Sequence, residues 1–185
     1  MTIHTPPQYR YPLSTKWSKD LFVMIKDIAK TKRYPSIVGS REDKNAFLIT
    51  LIRTQKALHN WEAIFIEMVK QIKSANTIDT ATLTSHFPPS SISKDTPEWA
   101  TYDEDKIVSD FIDELGTRPV DFVGTDEEMA EFIFRFILGQ LGLDWESTIM
   151  MIWEMLGDEN SLQLRELNNE LKNFDYIHLF DNESK

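Results

Sequence analysis

Apolar residues in this chain recur three and four apart in run after run, and each run is closed by proline or glycine; that spacing commits the chain to helices. Trp17, Leu21, Met24, Ile25 and Ile28 form the first stripe, which Tyr34-Pro35 ends because a residue before proline avoids the helical region. Ser40, with Glu42 and Asp43 behind it, opens a second helix whose first turn favours negative charge. Its stripe runs from Ala46 through Ile49, Ile52, Trp61, Phe65 and Met68 to Ile72. Residues 41–74 are either one helix or two that meet at His59-Asn60.

The second part of the chain repeats this logic with different punctuation. Thr96-Pro97-Glu98 is a helix start, and Ile107, Val108, Phe111, Ile112 and Leu115 lead to a stop at Gly116. Thr125-Asp126-Glu127-Glu128 matches a capping box, followed by Met129, Phe132, Ile133, Phe136 and Ile137. Asp144 caps a helix ending at Gly157, and Ser161 starts another with Leu164, Leu167 and Leu171. Met150, Met151 and Met155, beside Trp145 and Trp153, read as core. Phe174 to Phe180 is an apolar tail. No internal repeat and no hairpin signal stand out. The expected fold is all-α, an irregular bundle of six to eight helices, as a single compact domain or two closely packed helical lobes. Its parts are an extended arm over 1–13, a basic helical part over 14–74, a Ser/Thr/Pro-rich connection over 75–97 and an acidic helical part over 98–185.

A hydrophobic fraction of 41%, with 11 Phe and 5 Trp in 185 residues, supplies a core for such a bundle. The chain has 0 Cys, which removes disulfides and thiolate chemistry and fits a reducing compartment. The first residues hold no apolar leader, and the greasiest stretch, Phe132 to Leu143, is interrupted by Arg135 and Gln140. A cytoplasmic protein without a membrane segment is the expectation. The net charge of −10 argues against direct nucleic-acid binding, which needs clustered Lys and Arg.

The charge is sorted by position. Residues 1–100 carry a net of +5 and residues 101–185 a net of −15. The acids gather at Asp103, Glu104, Asp110, Asp113 and Glu114, then at Asp121, Glu127 and Glu128. Helix starts account for some of them, but Asp110, Asp113 and Glu114 fall later in their helix and repel one another. These eight residues are the expected partner-binding set of a non-enzymatic protein, an acidic cytosolic inhibitor of the immunity-protein or antitoxin kind that covers a basic surface on a protein partner. A structural subunit forming a homodimer, with its basic part against an acidic one, is an alternative.

Three constellations could carry chemistry instead. Glu128-x-x-Glu131, followed by Glu154 and Asp158, resembles the paired carboxylates with which all-α nucleotide pyrophosphohydrolases of the MazG type hold Mg²⁺ against a triphosphate. The second pair departs from that pattern, being spaced by four with Gly157 between. Arg53 and His59 resemble the Arg-to-His spacing of HEPN ribonucleases, also all-α. His59 with Glu62 and Asp175 with His178 resemble fragments of a carboxylate-bridged di-iron site. Each is a short match in a chain rich in acids, so the expectation is no cofactor, with Mg²⁺ implied only under the phosphohydrolase alternative.

Overall fold

A computed structural model describes residues 16–31, 33–57, 61–92, 104–138 and 145–172 of the chain. They form the expected all-α bundle, with eight helices among the described residues. In chain order these are α1 (Lys16–Thr31), β1 (Ser36–Val38), α2 (Arg41–Ala57), α3 (Trp61–Ala75), β2 (Thr77–Asp79), α4 (Thr80–His86) and a 3₁₀ turn (Pro89–Ser91). Then come α5 (Glu104–Leu115), β3 (Asp121–Val123), α6 (Asp126–Leu138), α7 (Trp145–Leu156), β4 (Ser161–Gln163) and α8 (Leu164–Leu171). Residues 58–60, where one helix or two was the question, lie outside the described residues, as do the arm over 1–13 and the tail after 172. No described helix is long and apolar enough to cross a membrane.

The element order shows what the sequence reading missed: the chain is an internal repeat. Helix, strand, two helices, strand and helix occur in 16–86 and again in 104–171. In each copy the two strands pair in parallel over three residues, Ser36 to Val38 with Thr77 to Asp79, and Asp121 to Val123 with Ser161 to Gln163. Parallel strands need a long crossover. Here it is α2 with α3, and α6 with α7.

The repeat extends to individual bonds. Ser40 and Asp43 exchange capping bonds, Oγ accepting from the Asp43 N–H at 3.1 Å and Oδ2 accepting from the Ser40 N–H at 3.2 Å. Thr125 and Glu128 do the same, both at 3.1 Å. Asn76 and Asn160 both take positive φ, 48° and 57°, and turn the chain from α3 into β2 and from α7 into β4. Their carbonyls accept from the N–H of Ser36 and Asp121, the first residues of β1 and β3. Thr84 and Asn168, on α4 and α8, each donate a side-chain bond to the main-chain oxygen of the capping acid, Asp43 or Glu128. The buried leucines Leu83 and Leu167 sit one residue before them.

The match escapes a reading by hydrophobic period because three-residue strands are too short to show alternation, and because the copies differ in polarity. The same shortness hid part of the expected connection. Residues 77–92 fold into β2, α4 and the 3₁₀ turn, and bury Ile78, Leu83 and Ile92. Asp79 accepts from the N–H groups of Ala81 and Thr82 and so starts α4.

Both copies drain into one core. Phe47, Phe65, Phe111, Phe132, Phe134 and Phe136 are fully buried, and Met151, Trp153 and Met155 pack against the same cluster, in line with the core reading of that segment. Phe111 stacks on Trp153 with ring centres 5.0 Å apart, joining α5 to α7.

Each strand-to-helix junction passes through a glycine, Gly39 (φ +145°) and Gly124 (φ +153°), in backbone that L side chains rarely adopt. A Cβ on Gly39 would lie 1.9 Å from the Thr80 hydroxyl, which donates to the Val38 carbonyl at 2.8 Å. A Cβ on Gly124 would lie 2.4 Å from Glu128 and 3.1 Å from Leu164. Gly39→Ala and Gly124→Ala should each lower the unfolding free energy by about 2 kcal/mol or more in urea titrations. Gly116→Ala, whose Cβ would meet only carbonyl oxygens at 3.4 and 3.6 Å, should stay within about 0.5 kcal/mol of the parent.

Candidate functional site

Two copies of one unit, packed together, create two equivalent seams. In one, α6 lies on α1 and β1; in the other, α2 lies against α5. The first seam is filled. Tyr34, two residues before β1, stacks on the fully buried Phe134 with centroids 5.9 Å apart and planes 25° apart. Its hydroxyl donates to the Ala29 carbonyl at 3.1 Å. Beside it Glu131 and Arg135 form an ion pair at 3.1 Å on successive turns of α6. Burial raises the Tyr34 phenol above its ordinary pKa, Glu131 adds to the rise, and Arg135 opposes it.

The second seam is open. Counting from the strand and the cap, Pro119 stands where Tyr34 stands, Ile49 where Phe134 stands, and Ala46 where Glu131 stands. These three smaller side chains line a cleft of about 520 Å³ between α2, the 3₁₀ turn and the loop that follows α5.

Three arginines reach this cleft, in different states. Arg118 is spent on structure: its Nε donates to Asn160 Oδ1, one terminal nitrogen to Glu114 at 3.1 Å, and the other to the Gly157 carbonyl. It ties the loop after α5 to the turn before β4. Arg41, at the start of α2, bridges to Asp121 of β3 at 3.0 Å and links the two copies. Asn45 completes that link, its amide donating to the Val120 carbonyl and accepting from the Val120 N–H, each at 2.8 Å. Arg53 differs. It is 9% exposed and donates to the Pro89 carbonyl, while its Nε is buried without a hydrogen-bond partner. Burial lowers its pKa from the ordinary guanidinium value and Asp113 partly restores it.

The acids expected to meet a partner fall into groups. Asp103 lies outside the described residues, and Glu104 is the first residue of α5, with its side chain outside them. Asp110, Asp113 and Glu114 are exposed on α5, Glu114 in its pair with Arg118 and Asp113 near enough to act on Arg53. Asp121 is exposed in its bridge to Arg41, and Glu127 is exposed on the first turn of α6. Glu128 is half-buried, caps α6 and takes Arg165 of α8 at 3.1 Å, so its role is to hold the second copy together.

The Mg²⁺ reading needs Glu128, Glu131, Glu154 and Asp158 around one point. They do not gather: among the described residues no three His, Cys, Asp or Glu side chains lie where a metal ion could be held. Glu128 and Glu131 turn to Arg165 and Arg135, while Glu154 and Asp158 are exposed. His59, Glu62 as a side chain, Asp175 and His178 fall outside the described residues, so all four groups of the di-iron likeness lie there, and the ribonuclease likeness keeps only Arg53, which donates to Pro89 of the 3₁₀ turn. Sequence reading passed over Arg41, Asn45 and Arg118. Two of the partners of Arg118, Gly157 and Asn160, lie about 40 residues away, beyond what a local reading of the sequence reaches. Comparison of the chain with protein-family models, curated proteins and solved structures gives no match.

The filled seam carries a measurable signature. Because Tyr34 holds its proton to higher pH folded than unfolded, its contribution is complete below about pH 10 and is lost as pH rises through the folded pKa. Stability measured by denaturant from pH 9 to pH 11 should therefore fall more steeply for the parent than for Tyr34→Phe. Parallel slopes would show that Tyr34 ionises as it does in the unfolded chain.

Proposed function

We propose that this chain is a non-enzymatic binding protein, an acidic cytoplasmic inhibitor of the immunity-protein or antitoxin kind, whose carboxylates on α5 and at the start of α6 cover a basic surface of a protein partner. The observation that carries this is the placement of Asp110, Asp113 and Glu114. All three are exposed, at spacings of three and four that set them on one side of α5. They sit in the second half of the helix, where the carbonyl ends already carry partial negative charge, and the last turn holds no basic residue. Glu114 is answered by Arg118 just past the helix and Asp113 acts on Arg53, so the charge a cationic partner would meet centres on Asp110.

Opposite charge on a partner would also steer encounter, giving fast, salt-sensitive association. Asp121 and Glu114 would belong to the rim, because their bridges to Arg41 and Arg118 already serve the fold. Asp110 and Glu127 are exposed and can be changed without removing either bridge.

The test is a charge reversal at those two positions. With the partner recovered from the native host by affinity capture and purified, Asp110→Lys/Glu127→Lys should weaken binding by about tenfold or more in 50 mM salt, mainly through the association rate. Its thermal midpoint should match the parent's. Glu170→Lys, exposed on α8, serves as the control and should bind normally. A partner with an acidic contact face, or equal binding by the double variant, would overturn the proposal.

A further inference from the structure

We infer that the open seam is a binding site for a small organic anion, a carboxylate or phosphate carried on an apolar body, with Arg53 as the group that receives the charge. This inference is separate from the acidic face, and it rests on a comparison within the molecule. One architecture is built twice, and at one seam the space is closed by the Tyr34–Phe134 stack. At the other the same positions hold Pro119 and Ile49, and a cleft of about 520 Å³ remains. This cleft opens to solvent beside the exposed Arg41, Glu42 and Pro119, so a ligand can reach it. The volume falls in the range of small-molecule sites, whose walls are mostly apolar with a few converging polar groups.

The polar group here is unusual in its state. Arg53 is nine-tenths buried, lines the cleft, and keeps one N–H without an acceptor. Leaving a buried guanidinium N–H unpaired is costly. The Nε is itself enclosed, so an oxyanion would offset that cost at the part of the guanidinium that faces the cleft, and would do so better than a neutral group. The position equivalent to Arg53 in the second copy is Leu138, so the repeat has no need of a cation at this point. The other charges facing the cleft are already engaged or lie at its mouth. Arg41 holds Asp121, Arg118 holds Glu114, and Glu42 is exposed on the first turn of α2. Asp113 acts on Arg53 and is itself exposed. An anion therefore has to enter past carboxylates, which favours a compact charged head over an acidic chain.

The experiment titrates the full-length ¹⁵N-labelled protein with phenyl phosphate, benzoate, inorganic phosphate and neutral benzyl alcohol, reading the Arg53 Nε–H and Asn45 side-chain resonances. Phenyl phosphate or benzoate should give saturable shifts at both groups, with a dissociation constant on the order of 1 mM. Response to the phosphates alone assigns a phosphate head, and response to benzoate alone a carboxylate; both outcomes support the site. Arg53→Met should weaken binding at least tenfold. Ile49→Phe with Pro119→Tyr, which rebuilds the filled seam, should abolish it without lowering the thermal midpoint, and keeps the test decisive if Arg53→Met unfolds. Absence of saturable shifts with all four probes, benzyl alcohol binding as well as phenyl phosphate, or undiminished binding by the filled-seam variant would each overturn the inference.

Discussion

Everything in this fold hangs on a parallel pairing of two three-residue strands, made once in each half. Such a pair is weak alone, since a two-stranded sheet has little face to bury and few ladder bonds. It persists because the residues on either side of it are committed elsewhere. A left-handed asparagine delivers the second strand, and its carbonyl is taken by the first residue of the other strand. A glycine then releases the first strand into a capped helix, and the helix after the second strand packs over that glycine. Remove the close approach at Gly39 or Gly124 and the strand pair, the cap and the short final helix all lose their shared reference point.

Duplication explains how so small a device organises the described residues of both copies. Each copy buries one side of its helices internally and offers another to its twin, so the core is continuous across both. The two seams began as equivalent places in this arrangement and now differ. Aromatic stacking closes one; small side chains, a half-satisfied arginine and two inter-copy polar links, Arg41 to Asp121 and Asn45 to Val120, frame the other. The polar links matter for the cleft, because they hold its walls together without filling it.

Much of this was legible in the residues, and the exceptions follow a physical pattern. The capping boxes at Ser40 and Thr125 and the stripes of α1, α2, α5, α6 and α7 are local signals, decided within one or two turns, and the structure agrees with them. The strands are three residues long and sit directly against helix starts, so no period of two can develop. The repeat is spread over matched capping boxes, matched glycines and matched asparagines rather than over matched stripes. The Ser/Thr-rich stretch after α3 read as a connection because Thr80 and Thr84 look like loop residues. Their hydroxyls instead bond the first strand and the capping acid about 40 residues away. The acids on α5 were visible in the sequence. That Asp121 and Glu128 answer to Arg41 and Arg165 was not, since both bonds depend on the chain's return, whereas Glu114 and Arg118 are a local pair four residues apart.

The repeat also changes what the sorted charge means. Had the two halves different architectures, their opposite balance could be a by-product of different folding needs. They have the same architecture, and the helix-capping requirement they share is small: one acid per copy, Asp43 and Glu128, with Asp79 as a further cap in the first. The first repeat meets that requirement within a part of net +5, the second within a part of net −15. In the second copy Glu114, Asp121, Glu128 and Glu131 are also taken up by Arg118, Arg41, Arg165 and Arg135, so only part of its acid exceeds what the fold uses. On α1, the counterpart of α5, the last turn ends with Lys30, the sign that a helix C-terminus favours; counting from the strands, Lys30 matches Leu115, while Asp113 and Glu114 match Ile28 and Ala29. The acids left over, such as Asp110 and Glu127, lie exposed outside those bridges, and they are where the proposed cationic partner would act.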